Sequence, residues 1–232
     1  MSDHFKHIYT YQADLYDELV SREDQRGNLF AALNEIADPG GKIVADLGAG
    51  TGRVARLLSF LAQRVIACDI SLPMLQIAQQ QLTISGMDNV ALVTAENRLL
   101  PLPDACVDVA VEGWSFGHAV GWHPATWRQE VQRMLDEMHR ILRPGGTLVL
   151  IETLGTGSKS PEPPTSGLAE LYKWWESIGF QHRWIRTDYQ FEDLEEAEKL
   201  TRFFFGDALA DQVVRDNRVI LPECTGLWWQ TV

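Results

Sequence analysis

The chain has 232 residues, 45% of them hydrophobic, and a formal net charge of −12. That length fits one large domain, or a domain with an added cover over its site. The acidic balance argues against a nucleic-acid partner and against an anionic membrane surface, because no cluster of Lys and Arg is there to release counterions. Cys68, Cys106 and Cys224 are far apart and form no C-x-x-C, as in a reduced compartment. The first residues carry no apolar leader, and no run is long enough to cross a bilayer, so the cytoplasm is the expected location.

In chain order, apolar spacing predicts helices over 10–20 and 26–37, the second ended by Asp38-Pro39-Gly40-Gly41. Strands and helices then alternate. Ile43–Leu47, Arg64–Asp69, Val90–Thr94, Val107–Val111 and Thr147–Ile151 read as strands. Gly52–Leu61, Pro73–Ser85 and Thr126–Leu142 read as helices, the last stopped by Arg143-Pro144-Gly145-Gly146. Residues 155–167 are a loop by composition, leaving the fifth strand as a lid or a linker. Helices over Leu168–Ile178 and Asp193–Phe205 follow, with strands over Phe180–Tyr189 and Gly226–Val232. Short apolar strands between helices mean an α/β fold, a doubly wound parallel sheet covered on both faces.

In such sheets ligands sit beyond the carboxyl ends of the strands. Those ends carry acids: Asp46, Asp69, Glu96, Glu112 and Glu152. The densest signal is Asp46-Leu47-Gly48-Ala49-Gly50-Thr51-Gly52, a strand, a tight turn and a helix start. Glycines there let backbone approach a ligand closely. The dinucleotide fingerprint G-x-G-x-x-G is the nearest competitor, but here the third glycine falls one place early and Arg53 stands where that pattern wants glycine. A carboxylate at Asp46 would repel a pyrophosphate and suit a ligand with an amino group. S-adenosylmethionine (SAM) has that character. A glycine-rich turn that binds nothing is the plain alternative.

Asp69 lies 23 positions after Asp46, the length of one turn, helix and strand, which places its carboxylate at the neighbouring strand end to accept from a cis-diol. Its other reading is a cap for the next helix, a role Ser71 fills better. The backbone of Gly48, Ala49, Gly50 and Gly52 would meet the methionine part of SAM. Ile70 and Met74 would pack on the adenine, with Glu96 and Asn97 at its edge; a core or solvated role is the alternative for each. All eight tryptophans lie between Trp114 and Trp229, as core or as a substrate wall, with Trp114 the foremost wall candidate. For a proton acceptor the candidates are His118 and Glu152. His123 has no third ligand beside it, so no metal is expected.

These motifs, in this order over roughly 40–152, resemble the class I SAM-dependent methyltransferases, in particular the group related to ubiquinone and menaquinone biosynthesis (methyltransferase type 11). Cys68-Asp69-Ile70-Ser71 with Met74-Leu75, Ala95-Glu96-Asn97 before Leu100-Pro101-Leu102-Pro103, and Leu142-Arg143-Pro144-Gly145-Gly146 are similar to further motifs of that family. The resemblance implies a Rossmann-like seven-stranded sheet with an antiparallel last strand, Phe180–Tyr189 pairing with Gly226–Val232. It implies SAM as cofactor, with Glu112 in the cofactor set. It also implies an N-terminal helical lid over 1–39, bringing Tyr11 and Tyr16 to the substrate side, before a SAM-binding core over 40–154 and a substrate-side portion over 155–232. The expected partner is a small methyl acceptor, neutral or cationic, and the expected state a monomer or homodimer. Other group-transfer chemistry with SAM, or a non-catalytic SAM-binding partner subunit, stand as alternatives.

Overall fold

The computed structural model describes residues 2–232, with side chains from His4 onward. Three helices come first, α1 (Ser2–Tyr11), α2 (Ala13–Ser21) and α3 (Asn28–Ala37). The alternating part runs β1 (Ile43–Leu47), α4 (Arg53–Ser59), β2 (Arg64–Asp69), α5 (Leu72–Ile84), β3 (Val90–Thr94), β4 (Val107–Gly113), α6 (His118–Trp122), α7 (Trp127–Ile141) and β5 (Leu142–Thr156). Then come α8 (Ser166–Ser177), β6 (Gln181–Arg186), β7 (Tyr189–Gln190), α9 (Leu194–Phe205), α10 (Asp207–Arg215), β8 (Ile220–Leu221) and β9 (Glu223–Thr231).

Seven strands form one sheet in the order β3-β2-β1-β4-β5-β9-β6. β1 to β5 run parallel, and β9 runs antiparallel to both β5 and β6. The expected terminal hairpin is there. Its pairing joins Gln181 to Trp229 and Arg186 to Cys224.

Side chains alternate across a strand, so each strand feeds two cores. Ala45, Leu47, Ala110, Leu148, Leu150 and Trp228 face α7 and α8, where Val131, Leu135, Met138, Leu171 and Trp175 meet them. Val44, Val109, Val111, Val149 and Leu227 face the other way, onto Leu29 and Leu33 of α3 and Val54 and Leu58 of α4. A third, smaller cluster joins Leu19 of α2 to Tyr189, Phe191, Leu200, Val213 and Leu221. It seats the N-terminal helices and α9–α10 against each other above the carboxyl ends of the strands.

Several expected bounds move. The helix expected over 10–20 is α2, which starts only at Ala13 because Gln12, with φ −136°, leaves the helical region, and a further, unexpected helix, α1, precedes it. Phe5, Ile8 and Tyr9 carry the helical spacing of α1 within a polar sequence. The expected strand over Phe180–Tyr189 ends at Arg186, and Tyr189–Gln190 pairs instead with Ile220–Leu221. The expected loop over 155–167 begins later, since β5 runs to Thr156. Ser71 stands at the start of α5, but its hydroxyl does not cap the helix. It donates to the Tyr9 carbonyl at 2.7 Å, tying α1 to the sheet.

Candidate functional site

The glycine turn is held from both sides. The Ala49 N–H donates to the Cys68 carbonyl at 2.9 Å, and the Gly50 N–H to Asp69 Oδ2 at 2.8 Å. The other carboxylate oxygen of Asp69 accepts from the Ser71 N–H at 2.7 Å. Each oxygen keeps a lone pair, so Asp69 organises the turn and can still accept from a ligand. Gly48 has φ +66°, and a Cβ there would fall 2.3 Å from Ser115 Oγ, so only glycine lets the turn pass the loop after β4. Gly52 serves packing, since a Cβ on it would press on Ala78 of α5 at 3.2 Å.

Beyond the turn lies one cavity of about 470 Å³. Gly48, Ala49, Gly50 and Asp46 line its sheet end. Trp114 and His118 come from the segment after β4, Glu152 from β5, Tyr9 and Tyr16 from the N-terminal helices, and Phe204 from α9. Trp114 has φ +55°, a costly backbone for a bulky residue, and its ring lies 4.7 Å beneath the Arg53 guanidinium. Arg53 in turn pairs with Glu23. His118 Nε2 is 2.9 Å from the Tyr9 hydroxyl, and its ring stacks on Trp122 at 4.7 Å.

Burial sets the protonation of these groups. It lifts Asp46 from the ordinary 3.8 to about 7, and Asp46 Oδ2 has no hydrogen-bond partner. It presses His118 down to about 4. Glu152 is raised by burial first and by Glu112 second, while accepting from the Gly117 N–H at 2.6 Å. At neutral pH the imidazole is therefore uncharged, and Asp46 and Glu152 hold their protons well above the ordinary carboxylate range.

Not every sequence-predicted residue reaches this cavity. Glu112 lies behind it, fully buried, with one oxygen accepting from the N–H groups of Ser115 and Phe116. It clamps the segment that carries Trp114 and His118. Tyr11 is 73% exposed and stands outside; Tyr9, two residues earlier and so on the opposite side of α1, lines the cavity in its place. Asp69, Ile70, Met74, Glu96 and Asn97 are not in the cavity lining: Asp69, Ile70, Glu96 and Asn97 lie at or just past the ends of β2 and β3, with Ile70 70% exposed, and Met74 is buried in α5. Met74 Cε lies 3.4 Å from where a Gly50 Cβ would be, and Asn97 Nδ2 lies 3.4 Å from Ser115 Oγ. Glu96 is paired with Arg98. Glu23, Arg53, Tyr9, Tyr189 and Phe204 escaped the sequence reading. Arg53 directly follows the glycine turn, which was the one local signal among them.

A rim with an ordered carboxylate, a glycine turn and an enclosed chamber beyond β4 and β5 define an α/β fold for a nucleoside-bearing cofactor beside a second ligand. SAM fits the residues present. Buried Asp46 Oδ2 and Asn97 Oδ1 lack donors, and SAM brings an ammonium, ribose hydroxyls and an adenine amino group. A dinucleotide brings phosphates, and among the described residues the only Lys or Arg lining the cavity, Arg53, is already paired with Glu23.

The methyltransferase domain family matches residues 45–150. The demethylmenaquinone methyltransferase of Thermus thermophilus is 30% identical over 171 residues, covering 68% of this chain and 70% of that protein. The malonyl-(acyl-carrier protein) O-methyltransferase of Yersinia pestis is 29% identical over 173 residues, and the chain spans only 55% of its length. A SAM-dependent methyltransferase from Aquifex aeolicus superposes with a TM-score of 0.58 over 90% of this chain and 95% of that one, at 20% identity. The chain belongs to the class I SAM-dependent methyltransferases, a family whose methyl donor is SAM.

Proposed function

We propose that the chain moves a methyl group from SAM to a small-molecule acceptor, neutral or cationic, bound in the chamber between the glycine turn and α9. The observation that carries this is the continuity of the cavity, which joins Gly48–Thr51 to Trp114, His118, Glu152 and Glu223 without a wall between them. Bound SAM supplies an activated methyl on a sulfonium, open to in-line displacement.

The chain's own work is to hold, align and exclude water. Asp46, Gly48, Ala49 and Gly50 would hold the methionine end, Asp69 the ribose, and Ile70, Met74, Glu96 and Asn97 the adenine. Tyr16, Trp114 and Phe204 wall the acceptor. His118, pressed to about 4, is at neutral pH an uncharged imidazole, fixed by the Tyr9 hydroxyl at Nε2, that orients a ligand. Glu152, raised by burial, is a neutral carboxyl able to donate a hydrogen bond. We assign residues 1–39 to a cover, 40–154 to the cofactor core and 155–232 to the acceptor side. Among the described residues no helix is long and apolar enough to cross a membrane. With the acidic charge and the unpaired cysteines this supports a cytoplasmic location.

The test is incubation with methyl-labelled SAM and a small-molecule extract, read by mass. Labelled methyl in an extract compound, with equal formation of S-adenosylhomocysteine, is expected. SAM binding with transfer of some other group, or with none to any compound, contradicts the reading.

A further inference from the structure

The acceptor end of the cavity is built around two carboxyl groups for which the fold supplies too few donors. Glu223 opens β9 and is 2% exposed. Its backbone N–H donates to Asp188 at 3.0 Å, and Thr153 Oγ1 donates to its Oε1 at 2.6 Å. Its Oε2 is buried with no hydrogen-bond partner. Glu23, at the end of α2, holds Arg53 through Oε2, and its Oε1 is likewise buried without a partner. Tyr189 sits by both, bridged to Glu23 through the backbone, and all three line the cavity. A fold leaves buried acceptors unmet at a cost, and such groups mark ligand contacts.

We propose that Glu223, backed by Glu23, is an ammonium-binding subsite, so that the acceptor carries an ammonium group that anchors it in the chamber while the methyl goes to another, unprotonated atom of the same molecule. The proposal rests on the methyl-transfer reading above. Among the described residues four carboxyl groups line the cavity, Glu23, Asp46, Glu152 and Glu223, against one guanidinium. That guanidinium is taken up by Glu23 and by the face of Trp114. An anionic acceptor would therefore meet acids and no free cation. A neutral alcohol can donate one hydrogen bond; an ammonium offers three donors to the two orphaned oxygens. The walls suit a cation as well, since Tyr16, Trp114, Tyr189 and Phe205 present aromatic rings, which attract a positive charge. Burial, with Glu23 as the second cause, lifts Glu223 to about 8, so Glu223 keeps its proton at neutral pH while the subsite is empty. A cation a few ångströms away reverses that cause, and the charge pair forms only on binding.

The test uses the intact chain loaded with S-adenosylhomocysteine and titrated calorimetrically with three probes of one shape: phenethylamine, phenethyl alcohol and hydrocinnamate. The amine is expected to bind about tenfold tighter than the alcohol or more, and the carboxylate more weakly than either. Glu223→Gln is expected to erase the preference for the amine while S-adenosylhomocysteine affinity stays as in the wild type. Should that variant not fold, the ranking of the three probes on the wild type decides alone. Equal affinity for amine and alcohol, no binding of the amine, or an undiminished preference in Glu223→Gln overturns the proposal. A wild-type chain that fails to bind S-adenosylhomocysteine counts instead against the methyl-transfer reading.

Discussion

Asp46 is 1% exposed beneath the glycine turn, with one carboxyl oxygen that no donor reaches. Burial holds its proton to about pH 7 in the folded chain, against 3.8 for the ordinary side chain. The folded state therefore binds more protons than the unfolded one between those values. The contribution of Asp46 to stability is fullest below about pH 4 and declines as pH rises toward 7. Asp46→Asn removes that decline. The variant is expected to melt about 5 °C or more above the wild type at pH 8, with the gap narrowing toward pH 4, in melting curves at both values. An equal gap at both pH values would place the proton elsewhere. Asp46 and Asp69 were legible because strand ends and spacing fix them locally. The pairing of Arg53 with Glu23 was not, since it links residues 30 apart that only the closure of α2 over the turn brings together.

At the scale of elements, the turn between β1 and α4 depends on glycine for two reasons at Gly48, its positive φ and the 2.3 Å approach to Ser115. Gly48→Ala is expected to cost about 1–3 kcal/mol and to lower the melting temperature by several degrees. A variant as stable as the wild type would show that the loop after β4 yields freely. The alternating core was readable because its strands are short apolar runs bounded by breakers. The outer elements were harder. α1 and α6 are short and polar or aromatic, and α10 carries a brief apolar face, Ala210 and Val213, between charged residues. Their stability comes from packing on one another, which a local pattern does not carry. The tryptophans divide in the same way. Trp175 and Trp228 fill the core, while Trp114 and Trp122 line the cavity.

At the scale of the whole molecule, the sheet binds and the termini enclose. Tyr9 and Tyr16 come from the first helices, Phe204 from α9 and Glu223 from β9, more than two hundred residues from Tyr9 along the chain, yet they share one chamber with Gly48. Calorimetric binding of S-adenosylhomocysteine and of NADH to the intact chain tests the central claim most directly. S-adenosylhomocysteine is expected to bind at micromolar concentration or tighter, with the affinity lost in Asp69→Ala, and NADH not to bind. NADH binding with no affinity for S-adenosylhomocysteine would contradict the account.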